Sequence, residues 1–470
     1  MRRIYLILIA AAMLVFALTP AAAADEPNIR VGLAKNKSTV SFSIHKGSYE
    51  VVEGSSGLPI GFLKEGDTWT VIEEGVLLKL PEAEGGVDTS YMGPLMIQPM
   101  GKNSEGIFSC NNVKYRGSLT IYNTDNGLEI VNTLPIDEYL YGVVGKEMGH
   151  SAPIEALKAQ SLISRSYALR MRGSGVYSDV GTDQLTQVYG GYSAELIPGF
   201  DRVKQAVDNT RGEVILYNGQ IVEAYYHASA GGHTENSENI WSAALPYLRA
   251  VPSPYDQYAI RYPYQSGGWP ANTYDWAKKI TRSQLASIIM DWNSRRLKDG
   301  RVNEIIDIGS LEGIEISRLD ANGKETASQR VTELKFIGTT GKKSFYRDNI
   351  RSILGLKSTL FDIEFDSKIT VLDGNASKVS FNSLKDLKAI DGSGALDYVN
   401  PDSDDCFVIG KESTRNIARS FDSLTIKGRG HGHGIGLSQW GAQGMAAEKG
   451  ANYKEIIRHY YTGVDIKRVY

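Results

Sequence analysis

Cysteine is nearly absent from this chain. Among 470 residues there are two, Cys110 and Cys406. Two isolated cysteines do not make a zinc motif, which needs closely paired ligands. An oxidising compartment permits a disulfide between them, and the sequence leaves that open. Histidine is scarce as well, at seven. Runs of lysine or arginine are missing and the net charge is −3, so a nucleic-acid partner is not expected. There are no repeats or low-complexity tracts, and beyond the first residues nothing is apolar enough for long enough to span a bilayer.

What is present begins with "MRRIYLILIAAAMLVFALTPAAAADE". Arg2 and Arg3 precede an apolar run from Ile4 to Leu18, then Pro20 and an A-x-A ending at Ala24. This reads as a signal peptide over residues 1–24, with Asp25 as the mature terminus. The apolar run is short against the roughly 20 residues of a membrane span. Export is therefore expected, with a site of action outside the cytoplasm, in the cell wall or at the membrane. Hydrophobic residues at 42% and charged residues at 22% suffice for a buried core, and the length suits more than one domain or subdomain.

From residue 25 to about 105 the pattern is short and alternating ("STVSFSI", "TWTVI", "VLLKL"), which predicts an N-terminal β-rich segment. After Pro135 the spacing becomes helical, with Ile136, Leu140, Val143 and Val144 on one stripe. Gly145 and Gly149 are expected to break that helix. Ser151 and Pro153 open a longer one to about Met171, whose stripe of Ile154, Leu157, Ser161, Ser164 and Ala168 shrinks after the first turn and invites close backbone packing. "VILYNGQIVEAYY" predicts a hairpin turning at Asn218-Gly219. Residues 257–421 mix helical and strand-like pieces and read as a large insertion or subdomain, with 422–470 closing a groove. The class is α+β: central helices packed with β-rich subdomains around a substrate groove, with residues 106–470 as the main domain.

Two residues invite chemistry. Glu147 lies between the two helices, where a carboxylate reaches a cleft, although most glutamates at helix ends are simply solvated. Arg165 sits in "QSLISRSYAL", among small and apolar residues. A charge buried there needs an anionic partner or a ligand; a structural ion pair and a place lining the groove beside Glu147 are both open and do not exclude each other.

Four stretches in the same order, "LPIDEYLYGVVGKEM…APIEALKAQSLISRSYAL", "QLTQVYGG", "AYYHASAGGHTENSENIWSAALPYLRAVPSPYD" and "GRGHGHGIGLSQWGAQGMA", resemble the stage II sporulation protein D (SpoIID/LytB) family. The likeness runs from about Leu134 to the C-terminus and is weakest over residues 257–421, where "FYRDNIRSILGLKSTLF" still resembles a family segment. It implies a lytic transglycosylase acting on peptidoglycan glycan strands, with Glu147 as catalytic acid and with Lys158, Arg165, Gln187 and Tyr189 on the substrate side. The second reading, after this one, is an enhancer that stimulates an N-acetylmuramoyl-L-alanine amidase without cutting glycan, since the family includes such proteins. In the first case a protonated Glu147 donates to the oxygen of the MurNAc–GlcNAc bond. Its carboxylate then takes the proton of the C6 hydroxyl as that oxygen closes a 1,6-anhydro ring. A hydrolase normally uses two carboxylates, and no convincing second one is evident. An acid in this role must hold its proton near neutrality, which apolar burial promotes and a close arginine opposes.

Under the same resemblance the ribbon "GRGHGHGIGLSQWGA" has two readings. His431 and His433, two apart, project to one side of an extended segment. Zinc would need a further ligand from His227, His233 or His459, none tied to the pair by a motif. Some members bind metal near the groove through cysteine and histidine, and the corresponding loop here has no cysteine, so no metal or cofactor is expected. The alternative is a polar groove wall. Gly430, Gly432, Gly434 and Gly436 would admit a bulky ligand, while His431, His433, Ser438 and Gln439 bond to its hydroxyl and acetamido groups. Ser229, Gly231, Gly232, Thr234 and Glu235 would form the opposite wall. A buried loop junction accounts for the same glycines. Tyr189, Tyr226, Trp241 and Trp440 are candidates for stacking on sugar faces, though core packing is the commoner role for aromatics.

Overall fold

The computed structural model describes residues 25–83, 87–101, 105–262, 274–366, 369–372, 377–381, 388–390, 393–398, 407–409, 414–416 and 421–470. The expected signal peptide and Cys406 lie outside these residues. Cys110 is buried, which pushes its thiol up to about 11. The chain is α+β and divides into two compact units. The first comprises residues 1–147, 161–223 and 465–470, and the second 148–160 and 224–464.

The first unit is built on two antiparallel six-stranded sheets. One runs Asn28–Lys37, Gly127–Pro135, Ser118–Thr124, Leu95–Pro99, Tyr49–Glu53, Leu58–Leu63; the other runs Val113–Arg116, Ile107–Cys110, Thr39–Lys46, Thr68–Glu74, Leu77–Ala83, Val87–Tyr91. Alternation works as the sequence suggests. Val40, Phe42 and Ile44 are buried, while Ser41 and Ser43 pair their hydroxyls with Thr70 and Thr68 on the solvent side, each at 2.8 Å. The boundary expected at residue 105 needs correction. Phe42 pairs with Cys110 and Asn28 with Pro135, so the N-terminal segment and residues 107–135 share both sheets. Local alternation marks strands without saying which distant strand completes the ladder.

Helix α1 spans Ile136–Met148 and helix α2 spans Ile154–Met171. α1 does not break at Gly145. A glycine inside a helix costs about 1 kcal/mol, and the fully buried Tyr139, Leu140, Val143 and Val144, with Met148 beyond the glycine, outweigh it. Gly149 does end the helix, at φ +84°, the left-handed position that glycine takes past a helix C-terminus. On α2 the small stripe is buried, including Ser161, Ser164 and Ala168. Ser166 Oγ donates to Leu162 O at 2.7 Å and accepts from Ile215 N at 2.9 Å, which fastens α2 to the strand Glu213–Tyr217. That strand turns at Asn218 (φ +48°) and Gly219 (φ +77°), the left-handed pair expected of a tight hairpin. Its other neighbour is the strand Asp465–Arg468, so the end of the chain belongs to the first unit and not with residues 422–464.

In the second unit, strands Asp275–Thr281, Ser423–Arg429 and Phe361–Asp366 form one sheet, and Leu311–Ser317, Glu333–Gly338 and Lys342–Tyr346 another. The helix Arg282–Lys298, started by a capping box between Thr281 and Gln284, packs Leu285 and Trp292 into a core shared with Leu334, Phe336, Ile350, Phe361, Leu424 and Ile426. Residues from the expected insertion therefore share a sheet and a core with Ser423–Arg429, the strand that leads into the glycine ribbon. Among the described residues no helix is long and apolar enough to cross a membrane.

Candidate functional site

Glu147 occupies the last turn of α1 and is half-buried. Its Oε1 accepts a hydrogen bond from the backbone N–H of Val188 at 2.7 Å. Val188 is held there by its neighbours in "QVYGG". Tyr139, two helical turns before Glu147, donates its hydroxyl to Gln187 Oε1 at 3.1 Å. Tyr189 donates to Asn132 Oδ1 at 3.0 Å, and its ring lies 5.0 Å from that of Tyr139. Gly190 N bonds Gly142 O at 2.9 Å, an approach possible only because position 142 lacks a side chain: a Cβ there would stand 2.6 Å from the Tyr189 ring. Burial, and after it the Glu147 charge, hold the Tyr139 hydroxyl well above its usual range.

Gln187 and Tyr189 are thus buried, at 0% and 6% exposure, and are scaffold where substrate contact was expected. Their bonds run inward because the Gly190–Gly142 contact draws the loop onto α1. Arg165 is corrected in the same way. Its guanidinium is fully buried and donates to Asp137 Oδ1 through Nε at 2.9 Å and Nη2 at 2.6 Å, and to Glu213 O at 3.1 Å. Asp137 opens α1, so the ion pair clamps one helix to the other.

The remaining expected residues lie in the second unit. Lys158 bonds Glu155 at 2.7 Å, with its ammonium 5.7 Å from the centre of the Tyr453 ring. The two expected groove walls turn out to be one structure. Ser229 N donates to His431 O at 3.0 Å and His431 N to Ser229 O at 2.8 Å, and Tyr226–His227 pairs in parallel with Leu437–Ser438. Gly231 and Gly430 are required by this contact. A Cβ on Gly231 would meet Gly430 N at 2.8 Å, and one on Gly430 would meet Ser229 O at 2.7 Å. Their missing side chains admit each other, which is the buried-junction reading.

Polar side chains at the junction satisfy one another. Ser438 Oγ donates to Asp256 Oδ1 and accepts from Ala230 N at 3.2 Å. Thr234 Oγ1 accepts from Val251 N at 2.8 Å. Glu235 is fully buried and takes bonds from Ser328 Oγ at 2.5 Å and from Asn236 N at 2.7 Å. Gln439 Nε2 donates to Gln160 Oε1 at 3.4 Å. Gly232 donates its N–H to Asp256 Oδ2 at 3.1 Å. Ser229, Thr234, Glu235, Ser438 and Gln439 are all buried and so do not line an open groove as expected.

His433 accepts from Ile435 N at 3.0 Å, and its ring lies 5.4 Å from His227 and 4.9 Å from Trp241. Burial pushes His433 down to about 4 and His227 well below its usual range. Among the described residues no group of three His, Cys, Asp or Glu is placed to hold a metal. Trp440 is buried against Tyr262, whereas the half-buried Trp241 stacks on Tyr225 at 4.4 Å.

Asp256 and Arg330 escaped the reading of the sequence. Asp256 is fully buried, and burial raises it to about 6 against three hydrogen bonds. Arg330 comes from the expected insertion, is fully buried, and donates to Ala230 O at 2.7 Å. Desolvation lowers it to about 10, opposed by the charges of Glu235 and Asp256. Nothing local marks Arg330, since a single arginine in a polar stretch reads as surface.

Residues 124–217, which hold Glu147, Val188 and the Asp137–Arg165 pair, match the family model described as SpoIID, stage II sporulation protein. Over this segment the chain is similar to the SpoIID family, and the likeness to its named members extends well beyond it. It is 27% identical to the stage II sporulation protein D of Bacillus subtilis strain 168 over 74% of this chain and 78% of that one. The Bacillus amyloliquefaciens protein of the same name is 26% identical over the same shares. The amidase enhancer of Bacillus subtilis strain 168 is 29% identical over 70% of this chain, which spans 40% of that longer protein.

Proposed function

We propose that this chain is an exported lytic transglycosylase that cleaves the MurNAc–GlcNAc bond of peptidoglycan, with Glu147 acting first as acid and then as base. The observation that supports this most is the fixing of one Glu147 oxygen by the Val188 N–H at 2.7 Å. That bond fixes the orientation of the carboxyl, and in this reading Oε1 is the carbonyl oxygen of the acid form while Oε2 carries the transferable proton.

In this mechanism Oε2–H protonates the leaving GlcNAc oxygen as the anomeric C–O bond breaks. The carboxylate then accepts the C6 hydroxyl proton while that oxygen bonds the anomeric carbon, and Glu147 is returned protonated. No water is consumed and one carboxyl suffices.

A second reading is supported by the relative named amidase enhancer, in which this chain would stimulate a cell-wall amidase without cutting glycan. Mass spectrometry of glycan strands treated with the parent chain or Glu147→Gln separates the two. Anhydro-MurNAc ends from the parent alone support the enzyme. No cleavage by either, with stimulation of an added amidase by both, establishes the enhancer and overturns Glu147 as catalyst. Reducing ends from the parent would mean hydrolysis and a further carboxylate.

A further inference from the structure

Residues 180–191, which carry the Val188 N–H, are tied down at both ends. At the start Val31 bridges Val180 in parallel, and Gly32 N donates to Val180 O at 2.8 Å. At the end Gly190 is bonded to α1 through Gly142. Between these points the chain doubles back, so that Tyr189 N donates to Thr182 O at 3.2 Å. The turn lies at the exposed tip, where Leu185 N donates to Asp183 Oδ1 at 2.9 Å and Thr186 N to Asp183 O at 3.1 Å.

A side chain crosses this loop. Thr186 Oγ1 accepts from Gly181 N at 3.0 Å, which joins the residue just before Gln187 to the root of the loop. The N–H that meets Glu147 belongs to the planar peptide between Gln187 and Val188. The neighbouring anchors, Gln187 to Tyr139 and Tyr189 to Asn132, are bonds between side chains. A peptide plane can rock while its flanking side chains stay put, by opposed turns of the dihedrals on either side, and the N–H would then swing off the carboxyl. The Thr186 bond reaches the backbone at another point and keeps residue 186 from following such a movement. Threonine suits the task, because branching at Cβ restricts χ1 and with it the direction of the hydroxyl.

We propose that Thr186 is a positioning residue of this site: its hydroxyl keeps the loop closed so that the Val188 N–H stays aimed at Glu147 Oε1. In this role it touches neither the acid nor glycan and acts through Val188. Its effect on the loop stands on the bonds just described, while its effect on turnover rests on the reading of Glu147 as the acid. A displaced N–H lets the carboxyl turn away from the glycosidic oxygen, and proton transfer falls off with small errors of placement. Loss of the Thr186 hydroxyl should therefore lower kcat and leave glycan binding nearly intact.

Hydrogen exchange and turnover of the full chain, compared with Thr186→Val and Thr186→Ser, test this. Valine keeps the shape and removes the acceptor, whereas serine keeps the acceptor. In Thr186→Val, exchange at Gly181 and Val188 should quicken roughly fivefold, the size expected for one lost hydrogen bond, with distant amides nearly unchanged. On glycan strands kcat should fall by a similar factor with KM little changed, and Thr186→Ser should restore both. Unchanged exchange at Val188 would overturn the proposal, as would a quickening spread evenly over the chain, which would make Thr186 a general stabiliser. Failure of serine to restore the parent's behaviour would assign the effect to methyl packing, and an unaltered kcat beside a quickened Val188 would remove the link to the acid; either result sinks it. Absence of glycan cleavage by the parent would instead sink the enzyme reading, and the exchange comparison would still decide whether Thr186 braces the loop.

Discussion

Ser229 and His431 exchange both of their backbone hydrogen bonds, at 3.0 and 2.8 Å, although they are two hundred residues apart in the chain. This single bridge turns two glycine-rich motifs into one piece of buried backbone. It explains why the glycines on either side cannot carry side chains, and why the serines, threonine and glutamate near them are spent on internal bonds.

Gly430→Ala tests that junction. The residue sits at φ +80°, and a Cβ would lie 2.7 Å from Ser229 O, a backbone atom with little freedom to retreat. A loss of about 2–4 kcal/mol is expected from positive-φ strain and overpacking together. Urea unfolding measures it. A change below half a kcal/mol would mean that the two segments separate easily.

Among the described residues, Arg165→Met leaves buried Asp137 with only the longer, exposed cationic contact to Arg211 at 3.7 Å, and a loss of about 3 kcal/mol is expected. The double variant Arg165→Met with Asp137→Leu should recover much of this, because no uncompensated charge remains. Were Arg165 a substrate ligand, the single variant would instead keep its thermal stability and lose affinity for glycan.

Tyr139→Phe removes the hydroxyl that donates to buried Gln187, at a cost of about 1 kcal/mol. Amide exchange at Val188 should quicken, since the loop carrying its N–H loses an anchor. If Glu147 is the acid, kcat should fall with KM little changed. Unchanged exchange at Val188 would separate Tyr139 from the placement of Glu147.

The pH dependence of folding has two opposed parts. His433 falls from 6.5 unfolded to about 4 folded, so its contribution is complete above pH 6.5 and is lost as the pH drops towards 4, about 3 kcal/mol in all. Asp256 rises from 3.8 to about 6, so its contribution is complete below pH 3.8 and is lost as the pH climbs to 6, by a similar amount. The two nearly cancel between pH 4 and 6, and the lowered His227 and His431 tilt the balance towards loss in acid. Asp256→Asn removes the opposing part. Urea unfolding at pH 4.5, 5.5 and 6.5 should show a steeper loss towards acid in that variant than in the parent; an identical slope would mean that Asp256 is ionised normally.

The sequence by itself determined what short-range rules govern: the α+β class, the alternation of the strands, the two helices after Pro135, the Asn218-Gly219 turn and the end of α1 at Gly149. It also pointed to Glu147 through a family-like motif, although the expected position between two helices is the last turn of α1. Gly145 misled, since helix propensity of about 1 kcal/mol is overruled by burial that only the packed fold supplies. Long-range pairing decided the rest. Whether Arg165 meets Asp137 or a ligand, whether SAGGHTEN and the glycine ribbon face each other across a groove or bond directly, and whether residues 107–135 close the N-terminal sheets all depend on which distant backbone arrives alongside. Arg330 shows the same limit: its burial comes from neighbours about a hundred residues away, and no window around position 330 contains them.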